Sequence, residues 1–533
     1  MKLHKLFQSN MVLQQGKETK IYGTGKPNEK IEIIFQNKTY KTAVNKKGFW
    51  LIKFAKLKVS KSNNSLIVKS TSNQITLHNI LIGDIWLAGG QSNMQLTMER
   101  TKYMFPDEVE KANNPNIRIF TIPENYNFQT EQNDFDNNLQ KNVKWLDIQP
   151  QTIKQISAVS YFFAKELNCK FNIPIGIIVC AIGGTPIAAW LPKKAILDMP
   201  ALKKEAEHYK NPDAIKTIIK SESAAELEYY HQLNSSDKGL KQTWYKLTYN
   251  DSKWHKRNLT QPFNKSLAKT GSIWFRKTII IPQKLQNKEA YLFLGTIIDE
   301  DYVYFNGKLI GTTSYRYPPR NYKIRFSKTG KCVITIRLIN HYGLAEFTPG
   351  KPYFLSTDNQ AFCLDGKWKY KRGTILPPKP KQTFLTYMAT SLYNGMFSPL
   401  ANFNIKGIIF YQGESDAISP NNYYKKFTRL IYSWREKLNK TAQQLPFIYV
   451  QLPYQIYTYN ENWNSIRDQQ TKALEIENTG MILSQDIGEY NDLHPQNKYL
   501  IAYRLSRLAR KLAYNETIQL TPFEYSNTFK AEN

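Results

Sequence analysis

Four short segments carry the side chains with which this chain could do covalent chemistry. "LAGGQSN" delivers Gly90-Gln91-Ser92-Asn93, and "AIGGTP" delivers Gly183-Gly184-Thr185. "FYQGES" delivers Tyr411-Gln412-Gly413-Glu414, and "DIGEYNDLHP" runs from Asp486 to Pro495 with His494 inside it. Together they hold a hydroxyl, bare backbone amides, a side-chain amide, carboxylates and an imidazole, which is the inventory for acyl transfer. A serine hydroxyl is a poor nucleophile until a base takes its proton. An imidazole, here that of His494, can do so near neutral pH. A carboxylate on the other ring nitrogen fixes the tautomer and steadies the imidazolium. The tetrahedral intermediate carries an oxyanion and needs preset donors, the loss of one costing about 3 kcal/mol. Glycine lets a backbone N–H approach closely, Gln412 offers an NH2 group, and Ser92, just before a helical turn, offers its own N–H.

The elements that must position these groups are legible in the hydropathy pattern. "ILIGDIWLAG" and "IPIGIIVCAIGG" are continuous apolar runs ending in glycine, the pattern of parallel strands buried on both faces. Between them "ISAVSYFFAKELNCKF" has helical spacing, with Ile156, Val159, Phe163 and Leu167 on one face. Strand, helix, strand in that order predicts an α/β domain. "IKGIIFYQGES" and "TGMILSQDIG" resume the buried-strand pattern, and amphipathic helices follow at "NYYKKFTRLIYSWREKLN" and "NKYLIAYRLSRLARKLAY". Ligands of open α/β sheets collect at the carboxyl ends of the strands, and each chemical segment stands at such an end. Taken singly each has a plain structural reading: Gly183-Gly184 as a turn, Glu414 as a carboxylate in reach of first-turn amides, His494 as a structural histidine at a helix start. Their joint occurrence is what points to a site.

The pattern divides the chain in four. Residues 1–80 read as a small antiparallel β domain, with "KIEIIFQNKTYKTAVNKKGFWLIKF" alternating apolar and polar and turning at Lys47-Gly48. Residues 81–241 form the first part of the α/β domain, polar helices filling 201–235. Residues 242–375 return to strands, with "YFNGKLIG" a hairpin signal, and read as a β sandwich inserted in the α/β domain. Residues 376–533 complete that domain.

The totals bound the partners. A chain of 533 residues, 41% hydrophobic and 13% aromatic, can bury a sizeable core and suggests about three domains. Its formal charge of +30 attracts polyanions or acidic substrates, but the lysines are spread along the chain and read as a solvated surface. No zinc-knuckle or RNP-like string suggests a nucleic-acid partner. No stretch approaches the ~20 apolar residues of a membrane helix. Cys169, Cys180, Cys332 and Cys363 lack metal spacing and read as buried thiols. Neither metal nor cofactor is expected.

A resemblance now adds to this reading. "GDIWLAGGQSNM", "IPIGIIVCAIGGTPIAAW", "KGIIFYQGESDA" and "NDLHPQNKYLIAYRL" resemble the sialate O-acetylesterases of the SGNH/GDSL hydrolase superfamily. So do "SLYNGMFSPL" and "LFQSNMVLQQGKETKIYGTGKP", and "GSIWFRKTIIIP" through "YFNGKLIG" is similar to that family's galactose-binding-like insert. The resemblance implies a three-layer α/β/α domain with a parallel sheet and a metal-free serine esterase acting on O-acetylated sialic acid or a related acetylated sugar. By position it implies Ser92 as nucleophile and His494 as base, with Ser92, Gly184 and Gln412 as oxyanion donors. Gln91 and Glu414 would support the Ser92 turn, and Glu414 would also brace Gln412. Two departures stand out. The superfamily's Gly-Asp-Ser-Leu is Gly90-Gln91-Ser92-Asn93 here, and the acid expected three residues before the histidine is Asn491. Asp492 is the favoured acid, with Asp486 or a backbone carbonyl as alternatives. Two other readings remain: an acetylesterase of xylan or another polysaccharide, and a carbohydrate-binding protein with a dead site. The family-like motif starts at Leu6, which leaves no room for a leader and points to the cytoplasm unless a leader was removed. Oligomeric state is not legible.

Overall fold

The structure is a computed structural model that describes residues 1–135, 143–357, 360–442, 444–454, 461–489 and 492–526. The chain is a mixed α/β protein with large sheets, and it divides into two compact units. The first comprises Met1–Pro212, Phe384–Tyr490 and His494–Asn533; the second comprises Asp213–Thr383 and Asn491–Leu493.

The first unit is built on six parallel strands: β1 (Gln74–Gly90), β2 (Asn114–Thr121), β3 (Ile175–Ala181), β4 (Gly407–Tyr411), β5 (Phe447–Val450) and β6 (Thr479–Ile482). Their spatial order is β2-β3-β1-β4-β5-β6, and every neighbouring pair is parallel. Short antiparallel strands, Leu146–Ile148 and Glu524–Ser526, close the two edges. Every residue of β3, β4, β5 and β6 is buried, which is why these segments are continuously apolar rather than alternating. The helix of "ISAVSYFFAKELNCKF" is Ala158–Phe171. Ser157 caps it, accepting from the Ser160 N–H, and Asn172 ends it in the left-handed conformation. Ile156, Val159, Phe163 and Leu167 are all buried, as their spacing predicts. The helices Tyr423–Lys437 and Lys498–Tyr514 follow β4 and β6. Asn497 caps the latter by accepting from the Leu500 N–H at 3.2 Å.

Two features depart from the domain reading. Residues 1–80 are not set apart from the rest of the first unit, because β1 is one strand of 17 residues. Its first half pairs with Ser60–Ser70 and its middle pairs in parallel with Val12–Gln14, so the N-terminal strands are not purely antiparallel. The main segment of the second unit runs from Asp213 to Thr383, wider than the insert read at 242–375. The helix Pro212–Ser236 accounts for the earlier start, since its Tyr229 and Leu233 pack on Ile339 of the sandwich.

That unit holds a six-stranded and a four-stranded sheet. Ile273, Phe275, Ile334 and Ile336 from one share a core with Leu292, Leu294, Ile324 and Leu355 from the other, as in a sandwich. The "FNG" hairpin turns through Asn306 and Gly307, both at positive φ. Cys180 and Cys332 are buried as expected, whereas Cys169 and Cys363 are exposed.

Candidate active site

The carboxyl ends of three adjacent strands bring the first three segments together. Gly90 of β1 lies in register with Ala181 of β3 on one side and Tyr411 of β4 on the other. The chain leaves β1 at Gly90 with φ +132°, where a Cβ would stand 2.1 Å from the Tyr411 carbonyl oxygen. Only glycine tolerates that backbone and that approach. The Gln91 N–H then donates to the same carbonyl at 3.0 Å, and Ser92–Gln95 forms a single helical turn. Gln91, Asn93 and Met94 are buried, while Ser92 is half-buried.

Two contacts bind this turn to the β3 exit. The Gly183 N–H donates to Gln95 Oε1 at 2.8 Å, and a Cβ on Gly183 would lie 3.4 Å from Ser92 Cβ. Gly184 follows at φ +78°, facing the Tyr387 hydroxyl so closely that a Cβ there would be 1.8 Å from it. Gly183 thus packs against Ser92 with its own N–H already engaged by Gln95.

The turn is held from below by a buried chain of polar groups. Asn93 Nδ2 donates to Glu414 Oε1 at 2.5 Å, and Lys498 Nζ donates to Asn93 Oδ1 at 2.6 Å. Lys498 opens the helix that follows His494, so this bond ties the Ser92 turn to the segment bearing the imidazole. His494 itself is buried, and its carbonyl accepts from Gln496 Nε2 at 2.7 Å. Gln91 Oε1 accepts a long bond, 3.4 Å, from the Ser415 N–H. Gln91 and Glu414 are thus each hydrogen-bonded around this turn.

Gln412 behaves otherwise. Its NH2 group donates to Asp416 Oδ2 at 2.6 Å and to the Thr185 carbonyl at 3.3 Å, and its Oε1 accepts from the Tyr423 hydroxyl at 3.1 Å. Both amide hydrogens are engaged inside the fold, so donation to an oxyanion would break one of these bonds. Its brace is Asp416, where Glu414 was expected.

The candidate acids are both met by cations. Asp492, which groups with the second unit, accepts from Lys351 Nζ at 3.0 Å. Asp486 takes a two-pronged contact from Arg504, at 2.8 and 2.6 Å. That guanidinium holds its carboxyl below the usual carboxylate range. Asn491 lies outside the described residues.

With this geometry in view, the chain can be set beside known proteins. Residues 82–225 and 380–512, just over half of the chain, match the family described as carbohydrate esterase, sialic acid-specific acetylesterase. The chain belongs to this family. The stretch between the two matched segments, 226–379, falls within the second unit. The sialate O-acetylesterase of Homo sapiens is 32% identical over 174 residues, covering 28% of this chain and 33% of the human protein. That of Mus musculus is 32% identical over 143 residues, covering 24% of this chain and 26% of the mouse protein. The matches thus span a third or less of these curated relatives. A crystal structure of a carbohydrate acetylesterase from Xanthomonas citri is 21% identical and superimposes with a TM-score of 0.58, covering 97% of this chain and 76% of that one. It shares the fold.

Two residues of this candidate site escaped the sequence reading. Asp416, buried, gathers the Ile187 N–H at 2.8 Å, Gln412 Nε2 and Lys426 Nζ at 2.9 Å. It therefore joins the β3 exit to the β4 exit. Its only sequence signal is a second carboxylate in "GESDA". Lys498 was hidden inside an amphipathic helical pattern. Truncation by Asp416→Ala leaves a buried ammonium, an amide and a backbone N–H without their acceptor, and is expected to cost about 3 kcal/mol, read as a lowered urea midpoint.

Burial pushes the Glu414 carboxyl up, against the opposing effects of Asn93 and Lys498. A carboxyl whose folded pKa is raised contributes stability fully below its unfolded value, about 4.3, and loses it as pH rises through the folded value. Glu414→Gln removes that loss. Urea unfolding between pH 4 and 8 is expected to show the variant gaining on the wild type as pH rises; parallel curves would mean that Glu414 titrates normally.

Proposed function

We propose that this chain is a serine esterase that removes O-acetyl groups from sialic acid or a related acetylated sugar. The observation that carries the reading is the half-buried Ser92 at the tip of the central strand, with Gly183-Gly184 against it, in a chain of the sialic acid-specific acetylesterase family. Ser92 attacks the acetyl carbonyl as His494 takes its proton; the C–O bond to the sugar then breaks, the sugar oxygen leaves with that proton from His494, and the acetyl-enzyme is hydrolysed to acetate by water that the freed imidazole deprotonates. The Ser92 and Gly184 N–H groups carry the oxyanion; Gln412 joins them only by releasing Asp416 or Thr185. Asp492 is our choice of acid and Asp486 the alternative, separated by replacing each with Asn. In this reading the parallel sheet is the core of a three-layer α/β/α SGNH domain, and the second unit is its galactose-binding-like insert.

Acetate release from O-acetylated sialic acid, set beside release from acetylated xylan, tests the substrate. The side-by-side arm is motivated by the fold shared with a protein called simply a carbohydrate acetylesterase. Release from xylan alone would overturn the sialate assignment, and release from neither would overturn the esterase. The rate is expected to fall as pH drops and the imidazole protonates, with an apparent pKa of about 6–7. A flat profile down to about pH 4.5 would rule out a histidine base.

A further inference from the structure

The Gly184 turn is met by Tyr387, one of a stacked aromatic pair that the esterase chemistry does not use. Phe384 and Tyr387 stack with ring centroids 4.8 Å apart and planes at 22°. The Tyr387 hydroxyl abuts Gly184, while the Phe384 ring is 52% exposed. A large apolar ring left that open beside a polar cradle has a face to offer a ligand.

The pair is rigidly placed. Leu385–Tyr387 is a single helical turn, closed by the Tyr387 N–H on the Phe384 carbonyl at 2.8 Å. The Ala389 N–H donates to Glu205 Oε2 at 2.7 Å, and the Thr390 N–H donates to the Ala188 carbonyl at 3.0 Å. Ala188 sits in the turn directly after Gly183-Gly184, one residue beyond the Ile187 N–H held by Asp416. Thr390, buried and β-branched, adopts φ +68°, a backbone conformation such residues avoid unless the surroundings impose it. The segment is therefore pinned to the same loop that supplies the oxyanion amide.

We propose that Phe384 and Tyr387 form the platform on which the pyranose ring of the acetylated sugar stacks, so that the platform decides which ester oxygen reaches Ser92. The proposal rests on the esterase reading for its substrate. Its physical basis is general: the C–H edges of a sugar face carry partial positive charge and match the negative face of an aromatic ring. A flat ring fixed relative to the nucleophile orients a ligand whose hydroxyls are otherwise alike.

The test compares kcat/KM for an acetylated pyranose with kcat/KM for ethyl acetate, which has no ring to stack. The ratio of the two is expected to fall about tenfold in Phe384→Ala, chiefly through KM, and to recover in Phe384→Tyr. Tyr387→Phe separates the ring from its hydroxyl: retention of the ratio assigns the effect to stacking. A ratio unmoved in both Phe384→Ala and Tyr387→Ala, with unchanged circular dichroism, would overturn the platform. A second readout does not need turnover. Saturation-transfer NMR of N-acetylneuraminic acid and of methyl xyloside with Ser92→Ala protein is expected to show contacts to ring protons that vanish on adding Phe384→Ala. Persisting contacts, or no binding of either sugar, would overturn the platform even where ethyl acetate is hydrolysed. Failure on every ester with ring contacts intact would instead strike the esterase reading alone.

Discussion

Ser92→Ala is expected to lower acetate release by about 10⁴-fold or more while moving Tm by no more than about 2 °C. Both halves follow from where the residue stands. The helical turn it opens is closed by backbone bonds: the Met94 and Gln95 N–H groups donate to the Gln91 carbonyl at 3.0 and 2.9 Å. The side-chain bonds that fix the turn belong to its neighbours, Asn93 to Glu414 and Lys498, Gln95 to Gly183. Removing one half-buried hydroxyl leaves each of these in place, so the fold has no reason to notice. The chemistry has every reason, because no oxygen remains to take the acetyl group, and residual turnover reflects only substrate held near the oxyanion amides. A serine-directed phosphonate is expected to label the wild type at Ser92 and to leave the variant unlabelled. A variant that hydrolyses a small acetate ester as fast as the wild type would favour the reading of a carbohydrate-binding protein with no working site.

What could be read ahead of the structure divides by range. Runs such as Ile175–Ala181 and Gly407–Tyr411 declare buried parallel strands because burial on both faces removes alternation, a property of consecutive residues. The exit at Gly90 and the hairpin at Asn306-Gly307 are equally local, since positive φ selects residue type directly. The partners of polar side chains are not local. Gln412 was read as a donor awaiting an oxyanion, yet its amide is spent on Asp416 four residues on and on Thr185, 227 positions away. Asp492 pairs with Lys351 across 141 positions. A carboxylate's neighbours are set by how strands order in space, and hydropathy periodicity carries no information about that order. The start of the second unit at Asp213 is hard to read for a related reason. The polar helix Pro212–Ser236 buries only Tyr229 and Leu233, too narrow a stripe to announce which core it serves.

Gly90→Ala is expected to destabilise the first unit by about 3 kcal/mol or more, and to reduce turnover in whatever protein survives. Two costs combine at this position. An L side chain at φ +132° occupies backbone space used almost only by glycine. The new methyl would also lie 2.1, 2.7 and 3.0 Å from the O, C and N of Tyr411, atoms of the next strand's backbone that cannot rotate aside. Gly16→Ala is the reference, also in the first unit, where φ is +69° and nothing lies within 4 Å of the added methyl. That variant carries strain alone, about 1–2 kcal/mol. The difference between the two urea midpoints therefore reports the clash together with the extra strain of φ +132° over φ +69°. Relief of the clash requires β1 and β4 to part at their carboxyl ends, which lengthens the Gln91 N–H bond to the Tyr411 carbonyl and rotates the turn carrying Ser92. Loss of stability and loss of rate are thus coupled through one hydrogen bond. A Gly90→Ala protein no less stable than Gly16→Ala would mean that the strand ends yield there, and that the turn is not held as tightly as a preset nucleophile requires.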